Sequence, residues 1–220
     1  MDKLKIWIIH YTKLIDRKIF LDQEIPKLSV PYEYIEKYDK EDLKKTELML
    51  FNLNKIKLSM CSNIRKHIEA YKNILKSPYK YNLILEDDVI INKNFKYILN
   101  QGLSQLPINY DMLFIGDGLN MHIPNRFRIP NKLIYYKGRH YSTWGGDGAT
   151  RCTDSYIISK NCAKKILFYI LKLRKNKRLI DMNSDWWLNQ VIRDLKLNIY
   201  WLEPTIVSQG TQNGKYKSSH

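Results

Sequence analysis

The stretch YNLILEDDVI at residues 81–90 decides the fold class, because a short apolar run passes directly into three acidic residues. The apolar run at 83–85 is typical of a buried strand that ends where the acids begin. In an extended chain alternate side chains share a face, so Glu86 and Asp88 should point together into a crevice while Asp87 turns away or caps the next turn. Hard oxygen ligands of this kind suit Mg²⁺ or Mn²⁺ bound together with substrate phosphates. Solvated acids in a turn are the alternative interpretation.

Two further apolar runs, IWII at 6–9 and MLFI at 112–115, end in polar or Gly-containing turns and predict buried parallel strands. Before the acidic stretch, apolar residues recur every three or four positions, which predicts a helix from about Ser59 to Lys76 that ends before Pro78. Alternating strands and helices indicate an α/β domain with a mainly parallel central sheet and helices on both faces. Such sheets bind ligands beyond the carboxyl ends of their strands.

The second half of the chain continues this alternation. SYIIS at 155–159 predicts a strand, and an amphipathic helix is expected from Asn161 onward. The residues NSD at 183–185 are a natural helix N-cap before a second amphipathic pattern. NIYWLEP at 198–204 predicts a further strand that ends at its proline.

Two segments have a less regular pattern. Residues 31–58 contain both YEYIEKY, which could form a strand, and LKKTELMLFNL, which could form a helix. The stretch 116–154 is rich in Gly, Pro, Asn and aromatic residues and is too long for an ordinary connection, so we expect a functional excursion over an active-site face. We predict one domain over residues 1–209, followed by a loose polar tail at 210–220.

The charge of the chain favours anionic partners, since 37 Lys and Arg stand against 22 Asp and Glu, a formal net charge of +15. The lysines are scattered, however, and the densest cluster, KLRKNKR at 172–178, closes a predicted helix, where cations suit the helix dipole. A basic nucleic-acid-binding protein is therefore an alternative, and a nucleic-acid partner is not the expectation.

The cysteine pattern and hydropathy bear on the compartment. The three cysteines form no CxxC pair, which indicates neither a disulfide framework nor a zinc knuckle and favours a reducing, cytoplasmic location. No run approaches the roughly 20 apolar residues that span a bilayer. The first residues lack a small-residue cleavage site, so we expect a soluble protein without a secretory signal.

Taken in order, these pieces resemble glycosyltransferase family 25, the lipopolysaccharide and collagen galactosyltransferase group. The resemblance implies a single domain of the GT-A type, a Rossmann-like fold that binds nucleotide sugars. In one departure, the Ser-His pair often expected at Ser62 is absent and His67 lies five residues on, which leaves the donor-contacting role of that helix open. The matching segments cover most of the chain: IWIIHYTKLIDRK, the helix from Ser59, LILEDDVIIN, MLFIGDG, RCTDSYIISKNCAKKIL, DWWLNQVI and WLEPTIVSQG.

The resemblance also implies roles for the acidic triplet. Glu86 and Asp88 would form the metal and nucleotide-sugar motif, with Asp88 as the first choice for a direct ligand and Asp87 counted among the donor-binding residues. Mn²⁺ or Mg²⁺ bridging both phosphates would make a nucleoside diphosphate able to leave. Tyr11 could stack on the base, and Arg17 could reach the ribose or the diphosphate. Ordinary packing of Tyr11 and a surface salt bridge of Arg17 are the alternatives.

Transfer to a hydroxyl group needs a base within hydrogen-bonding distance of the acceptor. Asp185 is the first choice, because it stands at a helix start where a family member would carry its acceptor-side acid, although helix capping is an ordinary role there. Asp154 is the competitor, and Asp117 follows it; each could instead hold a turn. Trp144, in a Gly-rich loop, is a candidate for stacking on the donor sugar.

Two residues near the end of the chain are candidates for a further metal ligand. These are Gln209 and His220, the latter if the tail folds back. The predicted activity is the metal-dependent, inverting transfer of a hexose from a nucleoside diphosphate sugar, expected to be a UDP-sugar, to a hydroxyl of a glycan or a hydroxylated side chain. Lipopolysaccharide or related glycan biosynthesis would use such a reaction. A metal-dependent phosphodiesterase that uses the same acids is a further alternative.

Overall fold

Residues 3–137 and 148–217 are described in a computed structural model. A seven-stranded sheet forms the centre of the fold, and a two-stranded sheet lies beside it. The strands are β1 (Leu4–Ile9), β2 (Tyr32–Ile35), β3 (Tyr81–Glu86), β4 (Val89–Ile91), β5 (Met112–Phe114), β6 (Ile134–Tyr136), β7 (Ser155–Ile158), β8 (Ile199–Leu202) and β9 (Val207–Gln209). The helices are α1 (Ile15–Glu24), α2 (Lys45–Leu48), α3 (Leu58–Lys76), α4 (Phe95–Gln105), α5 (Lys160–Lys175) and α6 (Ser184–Leu195).

The central sheet has the strand order β2-β1-β3-β7-β5-β8-β6 and is mainly parallel, as predicted. β1 pairs in parallel with β2 and β3, and β5 pairs in parallel with β8. The predicted strand SYIIS is present as β7, but it runs antiparallel to both β3 and β5. The sequence predicted this strand but not its direction, because an apolar run has the same pattern in either direction.

Helices cover both faces of the sheet, which confirms the α/β prediction. Alternate residues of β3 divide between two apolar cores, as the strand geometry requires. Leu83 and Leu85 pack in the core that includes residues of α1 and α4, whereas Ile84 packs in the core that includes residues of α3, α5 and α6. The acidic triplet therefore stands at the carboxyl end of a strand whose two faces are both buried.

The ambiguous segment 31–58 contains both kinds of structure. Its first part forms β2, and its helical part is limited to the four residues of α2. The long helix α3 matches its prediction closely, and Ser77 leaves the helical conformation immediately before Pro78. Among the described residues, no helix is long and apolar enough to cross a membrane.

The small sheet places the end of the chain beside the acidic triplet. β9 pairs antiparallel with β4, and the Gly210 N–H donates to the Asp88 carbonyl oxygen at 2.7 Å. The described part of the segment predicted as a loose polar tail folds back against α1, where Arg17 Nη2 donates to the Lys217 carbonyl oxygen at 2.8 Å. Tyr216 also packs there, with the Arg17 guanidinium 5.2 Å from its ring centroid. We call residues 210–217 the C-terminal strap.

A buried ion pair holds the excursion that follows β5 against the end of β8. Glu203 accepts a hydrogen bond from Arg151 Nη2 at 2.5 Å and from the Ile123 N–H at 3.2 Å, and it lies 3.0 Å from Arg128 Nη2. Arg151 has no exposed surface, and burial lowers its pKa to about 10. The Glu203 carboxylate is therefore the counter-charge for a fully desolvated guanidinium.

We predict that Glu203→Gln lowers the free energy of unfolding by about 3 kcal/mol, because removing one partner of a buried ion pair leaves the other charge uncompensated. Urea unfolding followed by circular dichroism would measure this loss. Glu33→Gln is the matched control, since Glu33 forms an exposed pair with Lys5 and its loss should cost less than about 1 kcal/mol. Equal losses in the two variants would contradict a special role for the buried pair.

Candidate active site

The first cleft lies at the carboxyl ends of β1 and β3, where a parallel sheet is expected to bind its ligand. Its volume is about 640 Å³ including the solvent at its mouth, within the range of small-molecule sites. All three acids of the triplet line it. Its other polar walls include Tyr11, Arg17, Ser62, Asn63, Lys66, Gln209 and Thr211.

A second cleft of about 610 Å³ adjoins the first. Thr153, Ser184 and Asp185 form part of its walls, so it lies at the start of α6. The two clefts share three lining residues, Asn63, Glu86 and Gln209. A ligand in one cleft would thus meet a ligand in the other at these side chains.

Glu86 stands at the junction of the two clefts and is held by three neighbours. Its Oε1 accepts hydrogen bonds from Thr153 Oγ1 at 2.7 Å and Asn63 Nδ2 at 3.2 Å, and it lies 3.1 Å from His67 Nε2. Burial by itself would raise the pKa of Glu86, but the His67 contact and the other hydrogen bonds lower this pKa to about 2. Glu86 is therefore a fixed negative charge at neutral pH.

Asp87 turns toward β1 and α1, and its carboxylate is fully used there. Its Oδ2 lies 2.9 Å from His10 Nδ1 and accepts from the Tyr11 N–H at 3.0 Å. Its Oδ1 accepts from Arg17 Nη1 at 2.7 Å. This carboxylate neutralises Arg17 and fixes the end of β1.

Asp88 has one carboxylate oxygen in use and one without a partner. Oδ2 accepts from Thr211 Oγ1 at 2.6 Å, whereas Oδ1 is buried and has no hydrogen-bond partner among the described residues. Burial raises the pKa of Asp88, and the negative charge of Glu86 raises it further. A buried carboxylate oxygen of this kind fits a hard divalent cation, which would satisfy the oxygen and relieve the repulsion.

Few side chains of the described residues are placed to bind such a cation. Within residues 3–137 and 148–217, no group of three or more His, Cys, Asp and Glu side chains is arranged to hold a metal ion. Mg²⁺ is commonly bound by one or two carboxylates together with substrate phosphates and water. Gln209 lines both clefts, and its Oε1 accepts from Gln212 Nε2 at 2.5 Å. His220 lies outside the described residues.

Tyr11, just after β1, and Arg17, in α1, were predicted on the donor side, and both line the first cleft. The Tyr11 hydroxyl donates to Glu41 Oε1 at 2.7 Å, which holds the ring at the cleft wall. Arg17 is buried between Asp87 and Lys217, so it forms a buried ion pair rather than the surface salt bridge that was its alternative. Trp144, the third candidate on the donor side, lies outside the described residues.

The candidate bases differ sharply in their surroundings. Asp185 is half-buried in the wall of the second cleft, where its Oδ1 accepts from the Trp186 N–H at 2.9 Å, and burial raises its pKa. Asp154 has no exposed surface and is not in the wall of either cleft; burial raises its pKa well above the usual range. Asp117 is likewise outside both walls. Of the three, Asp185 alone lines either of these two clefts of the described structure.

Several site residues were missed from the sequence. Asn63 and His67 are four positions apart on α3 and so share a helix face, which brings both to Glu86. The helix therefore does reach the site, at the position where the expected Ser-His pair is absent. Thr153 and Thr211 were missed because nothing in their local sequence distinguishes them; only the folded sheet brings them to the acids.

A buried lysine in the first cleft was also missed. Lys66 Nζ donates to Asp39 Oδ1 at 2.6 Å and to the Glu36 carbonyl oxygen at 2.8 Å. Burial lowers the pKa of Lys66, while Asp39 opposes that change. In sequence it is one of 28 lysines, so it could not be singled out.

Comparisons with known proteins identify the family and the fold. The family model of glycosyltransferase family 25 (LPS biosynthesis protein) matches residues 3–186. No curated protein matches the chain. A solved structure of a mutant Drosophila beta-1,4-galactosyltransferase 7, in complex with manganese, UDP-Gal and xylobiose, has a TM-score of 0.51 at 9% identity over 99% of this chain and 75% of that chain. A glycosyltransferase involved in the glycosylation of the major capsid of PBCV-1 has a TM-score of 0.42 at 12% identity over 96% and 97% of the two chains.

The structural likeness to the galactosyltransferase shows a shared fold, that of the GT-A-type glycosyltransferases. The family match extends from β1 through the acidic triplet to the start of α6, and so covers most of the chain; the cleft-lining residues Gln209, Thr211 and Gln212 lie beyond it. The protein is thus a transferase, and it belongs to glycosyltransferase family 25.

Proposed function

We propose that this enzyme transfers a hexose from a UDP-sugar to a hydroxyl group of a glycan or a hydroxylated side chain, with inversion and with Mn²⁺ or Mg²⁺ as its cofactor. The observation that carries the proposal is the meeting of two clefts at Glu86, with the unpartnered Asp88 Oδ1 on one side and Asp185 on the other. One cleft would hold the donor and the other the acceptor.

In the first cleft, Asp88 would hold the cation through Oδ1, with Glu86 as the neighbouring charge and Gln209 as a further oxygen ligand. When bound, the cation would supply the positive charge that stabilises the departing diphosphate. Thr211 fixes the other oxygen of Asp88, so the free oxygen is held in one orientation. His220, which lies outside the described residues, remains a proposed member of this ligand set.

The remainder of the first cleft suits a nucleotide. Tyr11 offers an aromatic surface on which a base can stack. Lys66 and Arg17 place cationic hydrogen-bond donors in the same walls, and each is balanced by a carboxylate, so neither is an uncompensated buried charge. Asp87 contributes indirectly, because it fixes both Tyr11 and Arg17.

In the second cleft, Asp185 would accept the proton of the acceptor hydroxyl as that oxygen attacks the anomeric carbon. The diphosphate would leave from the opposite side in the same step, which inverts the configuration. Burial raises the pKa of Asp185 and so makes the carboxylate a stronger base than an exposed aspartate. Asp154 is the second choice for this role, because it is fully buried and lines neither cleft.

The proposal predicts that the protein releases UDP from UDP-galactose or UDP-glucose, that Mn²⁺ or Mg²⁺ is required, and that EDTA abolishes the release. Chromatography of the nucleotide products would measure this. Release of UMP instead of UDP would favour a phosphodiesterase that uses the same acids. Equal release of UDP with EDTA present would overturn the metal dependence but leave sugar transfer in place.

A further inference from the structure

The outer face of α5 carries large apolar side chains between cations. Phe168 and Leu171 are 55% and 58% exposed, and Lys164, Lys172 and Lys175 lie on the same helix face at spacings of three, four, seven or eight residues. The apolar core face of this helix is separate, since it buries other residues such as Ile166 against the sheet. The exposed apolar residues are therefore not needed for the core.

The chain continues this surface beyond the end of the helix. Lys177 and Arg178 are exposed, and Leu179 is 49% exposed. Across residues 172–178 there are five cations, and in the described part of the chain none of them forms an ion pair with a carboxylate. Helix-dipole compensation would account for cations in the last turn of α5, but not for those beyond Lys175.

A second exposed segment is attached to the first. The Ile180 N–H donates to the Leu50 carbonyl oxygen at 2.9 Å, and the Asn52 N–H donates to the Ile180 carbonyl oxygen at 2.8 Å. The attached loop exposes 69% of Met49 and 50% of Leu53. We call the exposed residues of 168–179 and 49–58 together the basic-apolar rim.

The rim borders the active-site edge of the sheet. Loop 49–58 leads into Ser59, which lines the first cleft, and residues 176–183 lead into Ser184, which lines the second. The rim therefore lies where both clefts open rather than at the far end of the sheet.

We propose that the basic-apolar rim docks the protein on a bilayer that contains anionic lipids. Interfacial binding requires apolar side chains that enter the headgroup–acyl boundary and cations that remain among the anionic headgroups, and the rim supplies both on one surface. Duplex nucleic acid would use the cations but would leave exposed Leu and Met side chains in water. The mixture of residue types thus favours a membrane. This inference concerns attachment and does not depend on the proposed reaction.

Co-sedimentation of the full chain with vesicles tests the proposal. We expect strong binding to vesicles of phosphatidylcholine with 30% phosphatidylglycerol, and about tenfold weaker binding to pure phosphatidylcholine, because anionic leaflets attract basic segments. The triple reversal Lys172→Glu, Lys175→Glu and Arg178→Glu should lower the partition coefficient by about 10²-fold. The apolar variant with Phe168→Ser, Leu171→Ser and Leu179→Ser should also lose binding.

The matched control reverses three exposed lysines at the opposite end of the sheet, Lys3, Lys76 and Lys80, and changes the net charge by the same amount. This control should keep its vesicle binding, and thermal unfolding should show that every variant is folded. Equal loss in both triple reversals would mean that only net charge matters and would overturn the proposal. So would retained binding in the apolar variant, or a preference for a duplex oligonucleotide over the anionic vesicles in direct competition.

Discussion

Replacing Asp88 by Asn is expected to reduce metal-dependent sugar transfer by about 10³-fold, which corresponds to about 4 kcal/mol of transition-state stabilisation. The amide keeps the shape of the side chain and its contact with Thr211, but it removes the charge from Asp88 Oδ1, a buried oxygen in the wall of the first cleft that has no hydrogen-bond partner among the described residues. Initial rates with saturating UDP-sugar, together with titration of Mn²⁺, would measure the loss and show that the affinity for the cation falls with it.

Burial gives this variant a useful second property. Burial and the Glu86 charge both raise the pKa of Asp88, so ionisation of this group destabilises the cation-free protein. We therefore expect the Asp88→Asn protein to be as stable as the parent, or more so, in the absence of metal. Asp42→Asn, at an exposed position, is the control and should retain full activity. Full metal-dependent activity of the Asp88 variant would show that the cation binds elsewhere.

Asp185→Asn is expected to lower turnover by about 10²- to 10⁴-fold while leaving the affinity for the donor nearly unchanged. The carboxylate lies in the second cleft, away from the cation position, so its loss should affect proton removal and not the binding of the diphosphate. Because burial raises the pKa of Asp185, turnover in the parent should fall as the pH drops through this raised value, at a higher pH than an exposed aspartate would give. The variant should lack this acidic limb.

Turnover and donor affinity, measured separately across pH, distinguish a base from a positioning residue. Asp181→Asn is the matched control, since Asp181 precedes the same helix and pairs with Lys55 at the surface. It should leave both turnover and the pH profile unchanged. An Asp185 variant with normal turnover would contradict the assignment and return Asp154 to consideration.

The sheet and its long helices could be predicted because their evidence is local. The apolar run before Glu86 and the three- and four-residue spacing in α3 are properties of adjacent residues, and the structure keeps both. The direction of β7 could not be predicted, because a buried strand has the same composition whichever way it runs. The short helix α2 shows the related limit that an apolar pattern does not determine how far a helix extends.

The site could be predicted only where chemistry and local structure coincide. Three acids directly after a buried strand can be recognised from the sequence, and so can Asp185 from its position at a predicted helix start. Asn63 and Thr211 are not, because an amide and a hydroxyl occur everywhere in proteins and acquire a role only through the partner to which they are brought. The same limit applies to Asp154, whose sequence neighbours do not show that the sheet will bury it completely.

The C-terminal strap makes the surroundings of Asp88 depend on residues far away in the chain, since Thr211 is 123 positions from the acid it contacts. The first half of the chain thus contains β3 and Asp88, but it lacks the Thr211 hydroxyl that binds the Asp88 carboxylate. A substitution at Thr211 would accordingly change the hold on the Asp88 carboxylate, and with it the proposed cation site, without touching a strand of the seven-stranded sheet.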